Sequence, residues 1–328
     1  MNKLMTVVAA SVCAVSLSGS AFAAENQSVQ KADAAAAKEA AENLEEEEDK
    51  LYEAGFDFDF LSAYVWRNAI QTDEMVMEPC VWADFTGLDP FWFGFSIWQN
   101  YDLTDRRHRD LRKGLTETDY NVHVGATVWS SDDGDQELGL ELGHEWYDQN
   151  FVRSGSGDAY PDTREIYVKL TYDNPFVNVY GQASWLYEDF GDYKQGVHYE
   201  LGFNREFEVC DSVTVGADWN VSFGTGHYLN YLYGGTRSGY DEDGEMQYDG
   251  SSAGFGGTTV KLYATWQITD SLSLGGTIAY TGVLNGAYRE SLGDQGDDWW
   301  DYDEEAERGN GFYQRDFVWG GLQAKLTF

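Results

Sequence analysis

"QAKLTF", residues 323–328, ends the chain with an apolar side chain at every second position. Ala324, Leu326 and Phe328 alternate with polar residues, and a period of two places the two sets on opposite faces of an extended strand. An amphipathic helix would instead repeat its apolar residues every three or four positions. The stretch therefore predicts a final β-strand with one apolar and one polar face.

The same alternation recurs upstream in many short segments. "FDFDFLSAYVW" (56–66) puts its aromatic residues, Tyr64 and Trp66 included, on one face and two aspartates on the other, and "QELGLELGHEW" (136–146) sets leucines against glutamates. About twelve such segments are centred near residues 61, 79, 96, 122, 142, 168, 181, 202, 218, 262, 277 and 320. Tight turns and mostly longer links alternate between them, as in outer-membrane barrels.

Aromatic residues mark both ends of the apolar faces. A soluble β-sandwich also alternates, but it buries its apolar faces in a shared core and has no reason to place aromatics at both ends of them. Two aromatic girdles around an apolar band match the two interfaces of a bilayer. Residues 54–328 are therefore predicted to form an all-β, closed antiparallel transmembrane β-barrel of about 12 strands in a bacterial outer membrane, with its apolar face against lipid.

The first 53 residues have a different composition. Lys3, a short apolar run and the Ala21-Phe22-Ala23 site predict a secretory signal peptide over residues 1–23. Residues 24–53 are rich in Ala, Glu and Lys, which predicts an acidic periplasmic arm that is helix-prone or disordered.

Charge and cysteine content limit the function further. The chain carries 57 acidic and 21 basic residues, for a formal net charge of -36, and this argues against nucleic acid as a partner. Apart from the signal, Cys80 and Cys210 are the cysteines, and sequence alone leaves open whether they pair. No cofactor is indicated.

The polar faces predict an acidic lumen. Carboxylates outnumber cations there, so the field favours small cationic or neutral solutes over anions. About twelve strands and bulky inward residues (Trp82, Trp92, Trp98, Trp129, Tyr147, Tyr167, Tyr180 and Trp319) predict a constricted path. The predicted lumen-lining residues are Asp57, Asp59, Arg67, Glu78, Asp84, Asp119, Glu137, Glu141, Glu145, Glu165, Lys169, Glu200, Asp218 and Lys261.

Two acidic loops offer oxygen ligands of the kind that Ca²⁺ takes, with Asp241 and Asp243 in one and Asp301 and Asp303 in the other. Neither has the EF-hand spacing, and a solvated outer loop is the alternative. The basic stretch "DRRHRDLRK" (105–113) is a candidate site for anionic surface glycolipid, or for ion pairs with the acidic loops.

The histidines suggest no enzyme. His144 falls on the lipid-facing register, while His123 and His198 lie among inward carboxylates, where a hydrogen bond in the lumen explains them. Catalysis of the barrel-hydrolase kind needs a histidine within reach of a nucleophile. The chain is therefore predicted not to be an enzyme.

The opening hairpin "SAYVWRNAIQTDEMVMEPC" resembles the TorF-type porin family, whose barrels begin with an S-x-Y-V-x-R segment, here Ser62, Tyr64, Val65 and Arg67. Asn68 stands where that family's pattern has a glycine. The resemblance covers about fifty residues and implies a pore. The terminal Phe328 is similar to the signal by which outer-membrane barrels are recognised by the assembly machinery. The function expected is passive diffusion through an outer-membrane porin; the alternative is a structural or surface-interaction barrel with a blocked lumen and binding loops.

Overall fold

The computed structural model describes residues 51–103, 114–149, 162–187, 195–233, 239–240, 246–247, 250–297 and 315–328. The elements in chain order are β1 Tyr52–Leu61, β2 Tyr64–Trp66, β3 Ala69–Thr72, β4 Val76–Leu88, β5 Phe91–Asp102, β6 Gly114–Ser130, β7 Glu137–Gln149, β8 Thr163–Asp173, β9 Asn178–Leu186, β10 Gly196–Cys210, β11 Val213–Gly224, α1 Gly226–Tyr233, β12 Gly239–Tyr240, β13 Met246–Gln247, β14 Gly254–Gln267, β15 Leu272–Val283, α2 Gly286–Asp297 and β16 Asp316–Thr327. Among these residues, no helix is long and apolar enough to cross a membrane.

Twelve of the strands form a closed antiparallel barrel, in the order β1-β16-β15-β14-β11-β10-β9-β8-β7-β6-β5-β4. The prediction of twelve strands is confirmed, and β1 begins two residues before the predicted start at residue 54. The "QAKLTF" strand closes the ring, because β16 pairs with β1 and Phe328 N donates to the carbonyl of Ala54 at 2.9 Å. Closure leaves no strand edge unpaired, as a barrel in lipid requires.

The outside of the barrel is apolar. In β7, Leu140, Leu142 and Trp146 are exposed, whereas the neighbouring Tyr147 is buried inside. Exposed aromatics occur near the short turns, as at Phe207, and near the long connections. An apolar outer face of this kind is what a transmembrane β-barrel presents to lipid.

A short hairpin replaces the predicted continuation of β1. Tyr64 and Trp66 were expected on the lipid-facing surface, but β1 ends at Leu61 and the chain turns into the barrel as the β2–β3 pair, with Tyr64 buried. Arg67 and Asn68 have positive φ values of 50° and 65°, as required at both central residues of a two-residue hairpin turn that matches the strand twist. We call residues 62–75 the inner hairpin.

Two helices also turn inward, from segments predicted to be outer loops. Both lie at the end of the barrel where the long connections are, here called the outer end. With the inner hairpin they form one apolar cluster of buried residues, which consists of Ala69, Leu186, Tyr228, Leu229, Leu232, Tyr233, Val283, Tyr288 and Leu292. The outer end of the lumen therefore contains a packed core.

One predicted inward aromatic faces outward. A β-bulge between Thr127 and Trp129 shifts the β6–β7 register, so that Trp129 pairs with Leu138 and is 49% exposed. An extra residue in one strand moves every following side chain to the other face. The bulge, and not the local alternation, decides the orientation of Trp129.

Candidate functional site

Arg67 lies inside the barrel, but on the inner hairpin and not on the barrel wall. Its Nη2 is 2.5 Å from Oε2 of Glu165 and 3.5 Å from Oε2 of Glu145, and its Nη1 donates to Nδ1 of His198 at 2.9 Å. The Arg67 side chain is 9% exposed and that of Glu165 0%. One guanidinium thus links the hairpin to three strands of the wall, β7, β8 and β10.

Two tyrosines complete the coordination of Glu165. Tyr228 on α1 donates to Oε1 at 2.5 Å, and the Tyr147 hydroxyl on β7, which donates to Glu145 Oε2, also lies 3.3 Å from Oε2 of Glu165. Burial raises the pKa of Tyr228 well above its usual value, so the phenol remains a donor. A buried carboxylate is stable only when it is paired and hydrogen-bonded, and Glu165 is both.

Asn68 anchors the other side of the turn. Its Oδ1 accepts from Thr259 Oγ1 at 2.5 Å, its Nδ2 donates to the carbonyl of Gly257 at 3.4 Å, and its own carbonyl accepts from Tyr233 Oη at 3.4 Å. The turn is therefore fixed to both sides of the lumen, through Arg67 on one side and Asn68 on the other.

Most other predicted lumen residues lie on the wall beside a polar partner. Asp57 is opposite Lys325 and Cys80 in the strand register, and Lys169 Nζ lies 5.7 Å from the ring centre of Tyr180. The hydrogen-bonded or ionic pairs are Asp59 with Gln323 (3.2 Å), Asp84 with His123 (3.1 Å), Glu137 with Thr127, Glu141 with Tyr167 (2.9 Å), Glu200 with Tyr180 (2.5 Å) and Asp218 with Lys261 (2.6 Å).

Several inward aromatic rings lie along the wall and do not project across the lumen. Tyr167 is directly opposite Gly143, and a Cβ on that glycine would lie 2.2 Å from the ring Cζ. Tyr180 has the same relation to Gly202. Only glycine leaves room for this close approach. These two predicted inward rings therefore lie against the neighbouring strand.

A cavity of about 310 Å³ lies between the inner hairpin and the wall. Glu78 and Asp119, both predicted to line the lumen, meet there with Glu145. Aromatic rings provide much of the remaining surface. The lining residues are Tyr64, Val65, Trp66, Glu78, Ser96, Trp98, Asp119, Asn121, Glu145 and Tyr147.

The metal candidates Asp241, Asp243, Asp301 and Asp303 lie outside the described residues, as does the basic stretch 105–113. Within the described part of the chain, no three His, Cys, Asp or Glu side chains are grouped to hold a metal ion. Cys80 and Cys210, which we left open, are both free thiols.

Sequence reasoning missed the residues that fill the outer end. Tyr228, Leu229, Leu232 and Tyr233 were assigned to an outer loop, although their spacing of one, three and four positions is helical and predicts a buried face. Sequence reasoning also missed the turn at Arg67 and Asn68, which lies between two short apolar runs. The alternating pattern of β1 continues up to this turn and therefore predicted an uninterrupted strand.

Solved outer-membrane proteins are similar to the chain at low sequence identity. No protein-family model and no curated protein matches the chain. An outer membrane channel from Pseudomonas putida F1 is 10% identical, with 84% of this chain and 95% of that chain covered and a TM-score of 0.46. Outer membrane phospholipase A from Escherichia coli is 12% identical, with 84% of this chain and 92% of that chain covered and a TM-score of 0.42. The NanC porin is 10% identical, with 83% of this chain and 98% of that chain covered and a TM-score of 0.43.

These similarities concern the fold alone, and they include both channels and an enzyme. The closed antiparallel barrel itself, with its exposed apolar outer face and no free edge in its ring of strands, is the structure of a transmembrane β-barrel. The chain is a bacterial outer-membrane β-barrel.

Proposed function

We propose that this barrel is a narrow outer-membrane channel for passive diffusion of small cationic or neutral solutes. The observation that carries the proposal is the acidic inner wall, where Glu141 and Glu200 accept hydrogen bonds from Tyr167 and Tyr180. Among the lumen residues named above, the carboxylates outnumber the cations Arg67, Lys169 and Lys261. Fixed carboxylates lower the energy of a cation in the lumen and raise that of an anion.

The part of the wall that carries Tyr167 and Tyr180 supports the passage of solutes. Because the rings of Tyr167 and Tyr180 lie over glycines, they take little of the cross-section. The inner hairpin is then the main constriction, held at Arg67 and Asn68. A solute would have to pass the inner hairpin through the space between the barrel wall and the turn at Arg67 and Asn68.

We propose no catalytic step. In the described part of the chain, the side-chain partners are Arg67 for His198, Asp84 and Asn121 for His123, and Tyr187 for His144. No hydrogen bond among these residues joins a histidine to a serine, threonine or cysteine that it would activate.

Single-channel current in a planar bilayer under a KCl gradient tests the channel. The matched variant replaces residues 62–75 with an Asn-Gly turn, which is feasible because Leu61 and Val76 are paired directly. We expect small steps with a cation-favouring reversal potential, and larger steps without the inner hairpin. Silence from both proteins across many insertions would refute the channel.

The apolar cluster at the outer end favours a second function, a structural or surface-interaction barrel with a blocked lumen. Tyr228, Leu229 and Tyr288 are fully buried there, and a dry core of this kind excludes water and ions. Removal of residues 285–311 separates the two functions. A channel keeps or gains conductance, whereas a surface-interaction barrel loses binding of its partner.

A further inference from the structure

The cavity beside the inner hairpin is built on four consecutive strands, β4 to β7. Trp98, Asp119 and Tyr147 are directly opposite one another on β5, β6 and β7. Ser96, Asn121 and Glu145 form the next row of the same wall. The inner hairpin covers these rows with Tyr64, Val65 and Trp66. Rigid strands thus hold the charged and aromatic groups in fixed positions.

Two carboxylates of this cavity have an oxygen without a partner. Oε1 of Glu78 and Oδ1 of Asp119 are buried and accept no hydrogen bond, and Glu78 is only 9% exposed. A buried acceptor that lacks a donor costs free energy, so native proteins rarely leave one. Arg67, on the turn of the inner hairpin, is engaged by Glu165 and Glu145.

Aromatic rings surround the same space. The ring centres of Tyr64 and Trp98 are 5.3 Å apart, and those of Trp66 and Tyr147 are 5.2 Å apart. The faces of such rings attract cations, and a desolvated cavity strengthens this attraction. The volume of 310 Å³ is at the lower end of the range of about 300–1,000 Å³ for ligand pockets.

We infer that this cavity binds the primary ammonium group of a small organic cation, with its N–H groups donating to Glu78 and Asp119 and its carbon chain against Trp66 and Trp98. The inference rests on the proposed function insofar as the ligand reaches the cavity through the lumen. A primary ammonium fits better than a quaternary one, because only the former supplies the missing donors.

Isothermal titration calorimetry of the full chain, refolded in detergent, tests the site. The probes are n-butylammonium, tetramethylammonium, butyrate and Ca²⁺, each at pH 7.5 and pH 9. We expect n-butylammonium to bind at least about tenfold more tightly than tetramethylammonium, since about 1.4 kcal/mol is tenfold in affinity and a charged hydrogen bond contributes about that much. Butyrate should not bind.

Three variants locate the binding. Glu78→Gln and Asp119→Asn should each weaken n-butylammonium binding about tenfold or more, and either one serves if the other does not fold. Asp316→Asn is the matched control, because Asp316 lies outside the cavity and forms an exposed ion pair with Arg289. This variant should bind as the unaltered protein does.

Four results would overturn the inference: no binding of n-butylammonium at either pH, equal affinity for both ammonium ions, equal loss in all three variants, or binding of Ca²⁺ alone. Channel currents separate this failure from that of the proposed function. Cation-favouring current steps without n-butylammonium binding would disprove the site but leave the proposed channel intact. Binding of n-butylammonium without current would disprove the channel but leave the site intact.

Discussion

Removal of the Arg67 guanidinium is the sharpest test of how the inner hairpin is held. In Arg67→Met the hydrophobic stem is kept, but Glu165, whose side chain is 0% exposed, loses the ion pair at 2.5 Å. Breaking a buried pair by removing one partner costs about 3–5 kcal/mol. Glu165 keeps its hydrogen bond from Tyr228, so we expect a loss at the lower end, about 3 kcal/mol.

Urea unfolding of the refolded barrel, followed by tryptophan fluorescence, measures this loss. The matched control is Arg289→Met, because the Arg289–Asp316 pair is exposed, at 42% and 39%, and an exposed pair contributes only about 0–1 kcal/mol. In the double variant Arg67→Met with Glu165→Gln, the fully buried charge of Glu165 is removed together with its partner. It should therefore be more stable than Arg67→Met alone.

The reasoning fails if Arg67→Met loses no more stability than Arg289→Met. It also fails if Glu165→Gln brings no recovery in the double variant. Either result would mean that water reaches the Arg67 cluster and that the pair does not hold the hairpin in place.

Three further predictions concern the wall and the turn. Gly202→Leu should push the Tyr180 ring off the wall, because a Cβ at residue 202 would lie 2.1 Å from that ring, and should thereby lower single-channel conductance. Gly181 faces lipid with open space around it, so Gly181→Leu should leave the conductance unchanged. Equal conductance in the two variants would contradict the ring geometry. Asn68→Ala removes the side-chain bonds to Thr259 and Gly257, and we expect larger or more frequent current steps, with unchanged currents as the contrary result. Leu142→Arg puts a charge on the exposed apolar face and should cost about 2–4 kcal/mol in lipid vesicles; a loss near zero would show that this face is not in lipid.

The barrel wall was predictable because its pattern is local. In β1, β7 and β16 each side chain's orientation follows from its position in the alternation, and lipid imposes the same apolar requirement on every strand. The segment near residue 262 could therefore be assigned to a strand without knowledge of its neighbours, and β14 is found there. Lumen positions such as Glu141 follow from the same rule.

The candidate site was only partly predictable. Tyr64 and Trp66 continue the alternation of β1, so sequence placed them on the lipid face. They lie inside because the adjacent Arg67 forms an ion pair with Glu165 and a cation–π contact with Tyr228. Both partners are far from Arg67 in the sequence. A bulge likewise reverses Trp129, although its local pattern points inward.

The sequence by itself determined the strand number, the closure of the barrel and the acidic character of the wall, since these depend on a period of two and on composition. Only the tertiary structure decided which segments enter the lumen and where carboxylates such as Glu78 and Asp119 are left without donors. That outcome depends on contacts between residues from distant strands, and no local pattern encodes those contacts.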